Sequence, residues 1–172
     1  MSLPSGVVVT LIALLSKDGY ISEGVGVPFD LPEDKQHFRD YAEGKWLLLG
    51  RRTYLEMIDW FRNHVPLVLS RDSSFQPVTG RRVASVQEAI EIARENGQTE
   101  LVVCGGGAAY AAAISAAEKL VITRVDRLLS GGVRFPSFEQ DGSWRLKKRE
   151  VRGGALPFSI EVYWRKRADL TI

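Results

Sequence analysis

One cysteine, Cys104, stands in 172 residues, which excludes an internal disulfide framework and fits a reducing compartment. Histidine is almost as scarce. His37 and His64 are the whole supply, so a zinc site has little to draw on and no metal is expected. No apolar run reaches the length of a membrane span. The early stretch "GVVVTLIALL" has no basic residues ahead of it and no small-residue cleavage site behind it. It therefore reads as a buried strand and not as a signal peptide. An excess of one charge is also missing: 23 basic residues face 21 acidic ones, for a net charge of +2. That balance calls for neither a nucleic-acid nor a membrane partner, and its slight basic excess suits a small anionic ligand. These absences make the cytoplasm the default location. Two nucleotide-binding motifs are absent as well. Tyr110 stands where the last glycine of G-x-G-x-x-G belongs, and no G-x-x-x-x-G-K-[ST] occurs. With no linker, repeat or low-complexity tract, and 45% hydrophobic residues, the chain is expected to be one domain, residues 1–172, with a short loose tail.

What is present is a set of short apolar runs, at residues 7–15, 45–49, 67–69, 100–104 and 120–124. Most are short and continuously apolar, as strands covered on both faces are. Helical patterns lie between them. "RRTYLEMIDWF" follows the second run. "SVQEAIEIARENG" opens on a capping box, Ser85 with Glu88, and closes on Gly97; its apolar face is Val86, Ala89, Ile90 and Ala93. "AAYAAAISAAEKL" follows the fourth run. Strand–helix–strand repetition predicts an α/β fold with a mostly parallel central sheet flanked by helices. The end changes character: "WRLKKREV" and "FSIEVYW" flank a turn-rich "RGGALP". Phe158, Ile160, Val162 and Trp164 alternate with polar or exposed neighbours, which predicts a half-buried strand of a C-terminal antiparallel hairpin.

In open α/β sheets, ligands gather at the carboxyl ends of strands. Three such ends carry anion chemistry. "LLLGRRTY" supplies Gly50, Arg51, Arg52 and Thr53 where a helix begins; "CGGGAAY" supplies Gly105, Gly106 and Gly107; "LVLSRD" supplies Ser70 and Arg71. Together they suit a ligand with separate phosphates, such as a dinucleotide with a 2′-phosphate. A further puzzle lies in "PFDLPEDKQHFRDY", residues 28–41. Leu31 or Asp30 can cap a helix with Pro32 at its first position. Asp34, Phe38 and Tyr41 then share one face, which aims a carboxylate toward the apolar side.

In order and spacing these pieces resemble dihydrofolate reductase, over most of the chain. "LIALLSKDGYIS" and "GVPFDLPEDKQHF" look like that family's first strand, active-site loop and substrate helix. "KWLLLGRRTYLEM" carries its G-R-x-T, "LVVCGGGAAY" its Gly-Gly segment, and "LVITRVD" its threonine-bearing strand. The resemblance implies NADPH as cofactor and a heterocyclic small-molecule substrate, 7,8-dihydrofolate, reduced at a C=N bond to tetrahydrofolate. It assigns Asp34 and Thr123 to catalysis, the carboxylate gripping an N–C–NH₂ edge of the ring. It assigns Phe29, Lys35, Phe38, Met57 and His64 to the substrate. To the cofactor it assigns Leu14, Ile21, Gly50, Arg51, Arg52, Thr53, Ser70, Arg71, Gly105, Gly106, Gly107 and Tyr110. Phe29 replaces the family's usual tryptophan, and the glycines of residues 16–27 would let that loop move.

Two departures bear on the substrate. His64 stands where the family carries an arginine that clamps the glutamate tail of folate, and Lys35 stands where an apolar residue is usual. "SKDGYIS" also echoes the related reductase of riboflavin biosynthesis, whose substrate is 5-amino-6-(5-phosphoribosylamino)uracil. That pyrimidine phosphate is the alternative substrate, with Lys35 and His64 receiving the phosphate. A non-catalytic nucleotide-binding protein on the same scaffold is the alternative of another class. The sequence is compatible with a monomer or a homodimer.

Overall fold

The structure is a computed structural model and describes residues 6–22 and 29–166. Residues 23–28, with Gly24 and Gly26 of the expected mobile loop, lie outside the described residues, as do residues 167–172 of the tail. The chain runs β1 (Val8–Leu15), β2 (Tyr20–Ser22), α1 (Pro32–Ala42), β3 (Trp46–Gly50), α2 (Arg51–Glu56), β4 (Val65–Leu69) and β5 (Arg81–Val83). It continues as α3 (Val86–Glu95), β6 (Glu100–Gly105), α4 (Gly107–Ala113), β7 (Lys119–Val125), β8 (Val133–Arg134), β9 (Trp144–Arg152) and β10 (Phe158–Arg165).

Eight strands form one sheet in the order β5-β4-β3-β6-β1-β7-β10-β9. Pairing is parallel from β5 through β7. It is antiparallel at β7–β10 and β10–β9, so the expected C-terminal hairpin closes one edge. The central strands alternate between two cores because successive side chains point to opposite faces. Leu48 and Val103 join a cluster with Ala89, Ile90 and Ala93 of α3 and Ala109 and Ala113 of α4. Leu47, Leu49 and Val102 join the opposite cluster with Ala42 of α1 and Tyr54 of α2. Each such leucine, fully buried, stabilises the sheet by roughly 1.5–3 kcal/mol.

Local signals mostly hold. Ser85 accepts from the Glu88 backbone N–H at 3.1 Å, so it is the N-cap as expected, while the Glu88 carboxylate reaches one residue beyond the usual capping-box partner and accepts from the Ala84 N–H at 2.8 Å. Gly97 takes φ +74, the left-handed conformation that closes α3. Pro32 occupies the first turn of α1, but no side chain caps it; Asp30 instead pairs with Lys35 at 2.9 Å.

Two expectations are corrected, and three short strands had no expectation attached to them. The helix expected over residues 51–61 ends at Glu56, where the Met57 N–H tightens onto Thr53 and Tyr54 carbonyls. Beyond it, Phe61 stacks on Tyr54 and Trp60 on Phe38, contacts that a continued helix would not place together. The second strand of the hairpin is buried on its polar face too. Glu161 is 5% exposed and is held by Arg124, Arg149, Ser159 and Tyr163. Finally, β2 and β8 form a separate two-stranded sheet, and β5 extends the main sheet, from segments too short to show a period.

Candidate active site

A cavity of about 350 Å³ opens at the carboxyl ends of the parallel strands. Leu14 of β1, Cys104 and Gly105 of β6, Thr53 of α2 and Asp34 of α1 all line it. Asp34 sits in the first turn of α1, on the face that also brings Phe38 to the cavity wall. Tyr41 leaves that group; its hydroxyl donates to Glu100 at 2.5 Å, at the far end of the sheet. Thr123, buried in β7 and in register with Leu14, donates its hydroxyl to Asp34 Oδ1 at 2.5 Å. Burial raises the Asp34 pKa; the Thr123 hydrogen bond and nearby His37 oppose that rise without cancelling it. A carboxylate has thus been placed in a mostly apolar recess with one structural donor on Oδ1, which leaves a lone pair on that oxygen and the whole of Oδ2 for a ligand.

Glycine shapes the opposite wall. A Cβ on Gly106 would sit 3.2 Å from Thr53 Oγ1, and one on Gly107 would sit 2.6 Å from Val133 Cγ1. A side chain at either position would press on Thr53 or Val133, so glycine keeps this wall open and leaves peptide groups at the cavity surface. The Gly105–Gly106 peptide is cis. Tyr110 is buried beneath this turn and donates to the Ile12 carbonyl at 2.6 Å, while its ring borders the cavity. Ile21, Arg52, Met57, Phe29 and Lys35 complete the expected residues that reach the cavity.

The remaining cations divide. Arg51 is tied to Asp72 at 3.1 Å and lies over the Phe75 ring. Arg52 faces Glu56 at 3.7 Å. Arg71 is exposed and has no partner among the described residues. It follows Ser70, whose hydroxyl accepts from the Asp72 N–H at 3.2 Å and whose carbonyl accepts from Arg82 at 2.6 Å.

The sequence profile of the family described as dihydrofolate reductase matches residues 8–165. The chain belongs to the dihydrofolate reductase family. It is 30% identical to a dihydrofolate reductase of Neisseria gonorrhoeae over 148 residues, 84% of this chain and 88% of that one. It is 31% identical to one of Mycobacterium tuberculosis over 158 residues, 84% of this chain and 92% of that one. In fold it is similar to the dihydrofolate reductase of Enterococcus faecalis complexed with NADP(H) and RAB-propyl. The TM-score is 0.83 at 21% identity, covering 95% of this chain and 98% of that one.

One expected substrate residue does not line this cavity. His64 is turned away from the cavity and lines a separate hollow. Its ring stacks on Trp60 and its Nδ1 accepts from the Arg62 N–H at 3.0 Å, because residues 59–64 fold back on themselves after the short α2. Lys35 does reach the cavity rim, but paired with Asp30. Sequence reasoning also missed Leu31, Glu56, Cys104 and Val133 in the lining. Cys104 was readable, since it immediately precedes the glycine turn. Val133 carries no signal, because its two-residue strand has no period.

Asp18 was missed too. Its carboxylate accepts from Ser16 Oγ at 2.6 Å, the Leu129 N–H at 3.0 Å and the Ser130 N–H at 2.8 Å. These bonds join the turn before β2 to the segment leading into β8, and those two strands bring Ile21 and Val133 to the cavity. The Ser16 hydroxyl, with the Leu129 amide next, lowers the Asp18 pKa from 3.8 to about 2. A depressed carboxylate stabilises the fold above its unfolded pKa and stops doing so as pH falls through its folded one. Asp18→Asn should therefore melt below wild type at neutral pH, with the gap closing as pH falls from 3.8 toward about 2. Thermal denaturation across that range checks it; a gap that does not narrow contradicts this role.

Proposed function

We propose that the cavity holds the pterin ring of 7,8-dihydrofolate against Asp34 and that the chain, an NADPH-dependent oxidoreductase, reduces it to tetrahydrofolate. The observation that carries this is the Asp34–Thr123 pair in a mostly apolar recess. Thr123 fixes the carboxylate plane. Asp34 then accepts two parallel hydrogen bonds from the N–C–NH₂ edge of the ring, which sets its orientation. The raised pKa favours a proton on this assembly, so Asp34 promotes protonation of the ring nitrogen of the C=N bond. Leu14, Leu31, Phe38 and Met57 exclude water and keep those interactions strong.

The wall opposite fits a nicotinamide dinucleotide. Gly106 and Gly107 carry no side chain, and a Cβ at either would press on Thr53 or Val133, so a flat ring and a pyrophosphate can approach the backbone. Leu14 and Ile21 offer backbone groups to the carboxamide, Tyr110 borders the ring, and Gly50, Arg52 and Thr53 face the phosphates. Ser70 and Arg71 receive the 2′-phosphate. Arg51, held by Asp72, stands behind them. Bound NADPH supplies the hydride. The proposal needs one chain and one domain, residues 1–172, whether monomer or homodimer, in the cytoplasm and without nucleic acid or membrane. Among the described residues no helix is long and apolar enough to cross a membrane.

The pyrimidine-phosphate reading loses support at the rim. It requires Lys35 and His64 together, and the first is paired while the second faces elsewhere. A non-catalytic binder would not need a carboxylate buried beside a threonine donor. Offering dihydrofolate and the phosphorylated pyrimidine in turn, and following NADPH absorbance, separates the three; oxidation only with the pyrimidine would overturn the proposal.

Cofactor choice follows from Arg71. A charge-assisted hydrogen bond contributes about 1.5–3 kcal/mol, or roughly tenfold to over a hundredfold in affinity. Arg71→Ala should weaken NADPH by at least tenfold and leave NADH within a few-fold, as measured by fluorescence titration. Equal losses for both cofactors would move the 2′-phosphate elsewhere.

A further inference from the structure

The segment assigned to the 2′-phosphate contains a group of the wrong sign. Ser70 and Arg71 are followed at once by Asp72. Its carboxylate is held in place. Oδ1 accepts from the Ser74 hydroxyl at 2.6 Å and from the Ser74 N–H at 3.0 Å, and the Asp72 N–H donates to Ser70 Oγ at 3.2 Å. Ser74, through its hydroxyl first and its amide next, keeps the Asp72 pKa below the ordinary carboxylate value, so the charge is present throughout the neutral range. The other oxygen, Oδ2, accepts from Arg51 Nη1 at 3.1 Å. Arg51 is held too. Its guanidinium lies over the Phe75 ring, 4.3 Å from the centroid, and Phe75 meets the buried Tyr54 edge-on. Two arginines therefore stand at Ser70. Arg71 is exposed, and Arg51 is already bound to an anion of the protein's own.

Resting on the assignment of the 2′-phosphate to Ser70 and Arg71, we infer that Asp72 withholds Arg51 from that phosphate and so sets the margin by which the protein prefers NADPH to NADH. A carboxylate and a phosphate compete for the same planar fork of donors. NADH carries a hydroxyl where NADPH carries the phosphate, so the competition touches one cofactor and not the other. Its size is modest. Both ends of the Arg51–Asp72 pair are about half exposed, and an exposed ion pair separates at little cost. Asp72 thus reduces the preference and does not abolish it. A purely local role for Asp72 is also visible: through Ser74 it closes the turn in which the Phe75 N–H donates to the Asp72 carbonyl at 3.1 Å. Asparagine closes such turns equally well, so Asp72→Asn keeps the turn and removes the charge.

The test is fluorescence titration of the protein with NADPH and with NADH. Asp72→Asn should lower the Kd for NADPH about fivefold, the upper end of what releasing an exposed ion pair is worth, and move that for NADH by less than about twofold. In an Arg51→Ala background there is no arginine to release, so the same substitution should improve NADPH by less than about twofold. Asp72→Ser, whose hydroxyl also closes such turns, repeats the comparison should the asparagine variant not fold. A merely structural role would weaken both cofactors together and leave their ratio unchanged. NADPH affinity that is unchanged or lowered in Asp72→Asn, or a gain that survives intact without Arg51, overturns the inference while Arg71 keeps its assignment. Equal losses of NADPH and NADH in Arg71→Ala would instead remove the phosphate from this segment, and the inference with it.

Discussion

Asp34→Asn should fold, bind NADPH and lose at least about two orders of magnitude in turnover of dihydrofolate, the usual scale for a general acid–base group. At about 1.36 kcal/mol per decade, that is nearly 3 kcal/mol of transition-state stabilisation. Asparagine keeps the shape and still accepts from Thr123, but it offers an amide where the ring's N–C–NH₂ edge needs an acceptor, and it cannot promote protonation. The pH profile gives a second sign. Burial raises the Asp34 pKa, so its protonated form persists to higher pH than an ordinary carboxyl group's. Activity that depends on that proton declines as pH rises through the raised value. The Asp34→Asn variant should lack this decline. Steady-state kinetics between acidic and mildly alkaline pH, with circular dichroism to verify folding, decides it. A variant within a few-fold of wild type would remove Asp34 from the chemistry.

Gly80→Ala should be among the most damaging single-methyl changes in the protein. Gly80 has φ +81, and a Cβ there would fall 1.8 Å from the Pro66 carbonyl oxygen and 2.8 Å from the carbonyl carbon. Those are backbone atoms of β4, so no side-chain rotation relieves the overlap. Left-handed strain and a forced shift of β5 away from β4 should together cost about 3 kcal/mol or more. For a chain of this length that corresponds to a fall in Tm of about 6–12 °C. The function should suffer as well. Val83 accepts the Ser70 N–H at 3.1 Å and Arg82 holds the Ser70 carbonyl, so a displaced β5 disturbs the segment assigned to the 2′-phosphate. Calorimetry and NADPH titration of the variant measure both effects. Unchanged melting would show that the β4–β5 edge yields easily.

The central strands were legible because their leucine and valine runs are the physical requirement of a sheet covered on both faces. Asp34 was legible for a related reason: a carboxylate in helical register with Phe38 is an anomaly that burial must explain. Its partner, Thr123, lies 89 residues away in sequence; the family resemblance named it, and periodicity alone could not have found it. What stayed hidden has two causes. Strands β2, β5 and β8 have two or three residues each, too few to display a period, yet they place Ile21, Arg82 and Val133. Tertiary packing also overrode local pattern. Residues 57–61 read as helix, but Trp60 and Phe61 gain more by stacking on Phe38 and Tyr54, and that bend carries His64 out of the cavity. Ser159 and Glu161 read as the solvent side of a hairpin, and Arg124 with Arg149 made their burial tolerable.

The central claim is that the Asp34 cavity reduces a C=N bond of dihydrofolate with NADPH. The most direct measurement follows NADPH oxidation by purified protein with 7,8-dihydrofolate and quantifies the pterin product by chromatography. The account predicts one tetrahydrofolate formed per NADPH consumed, at a rate proportional to protein and at least about a hundredfold lower with Asp34→Asn. NADPH that binds but is never oxidised by dihydrofolate, or oxidation that Asp34→Asn leaves intact, would contradict it.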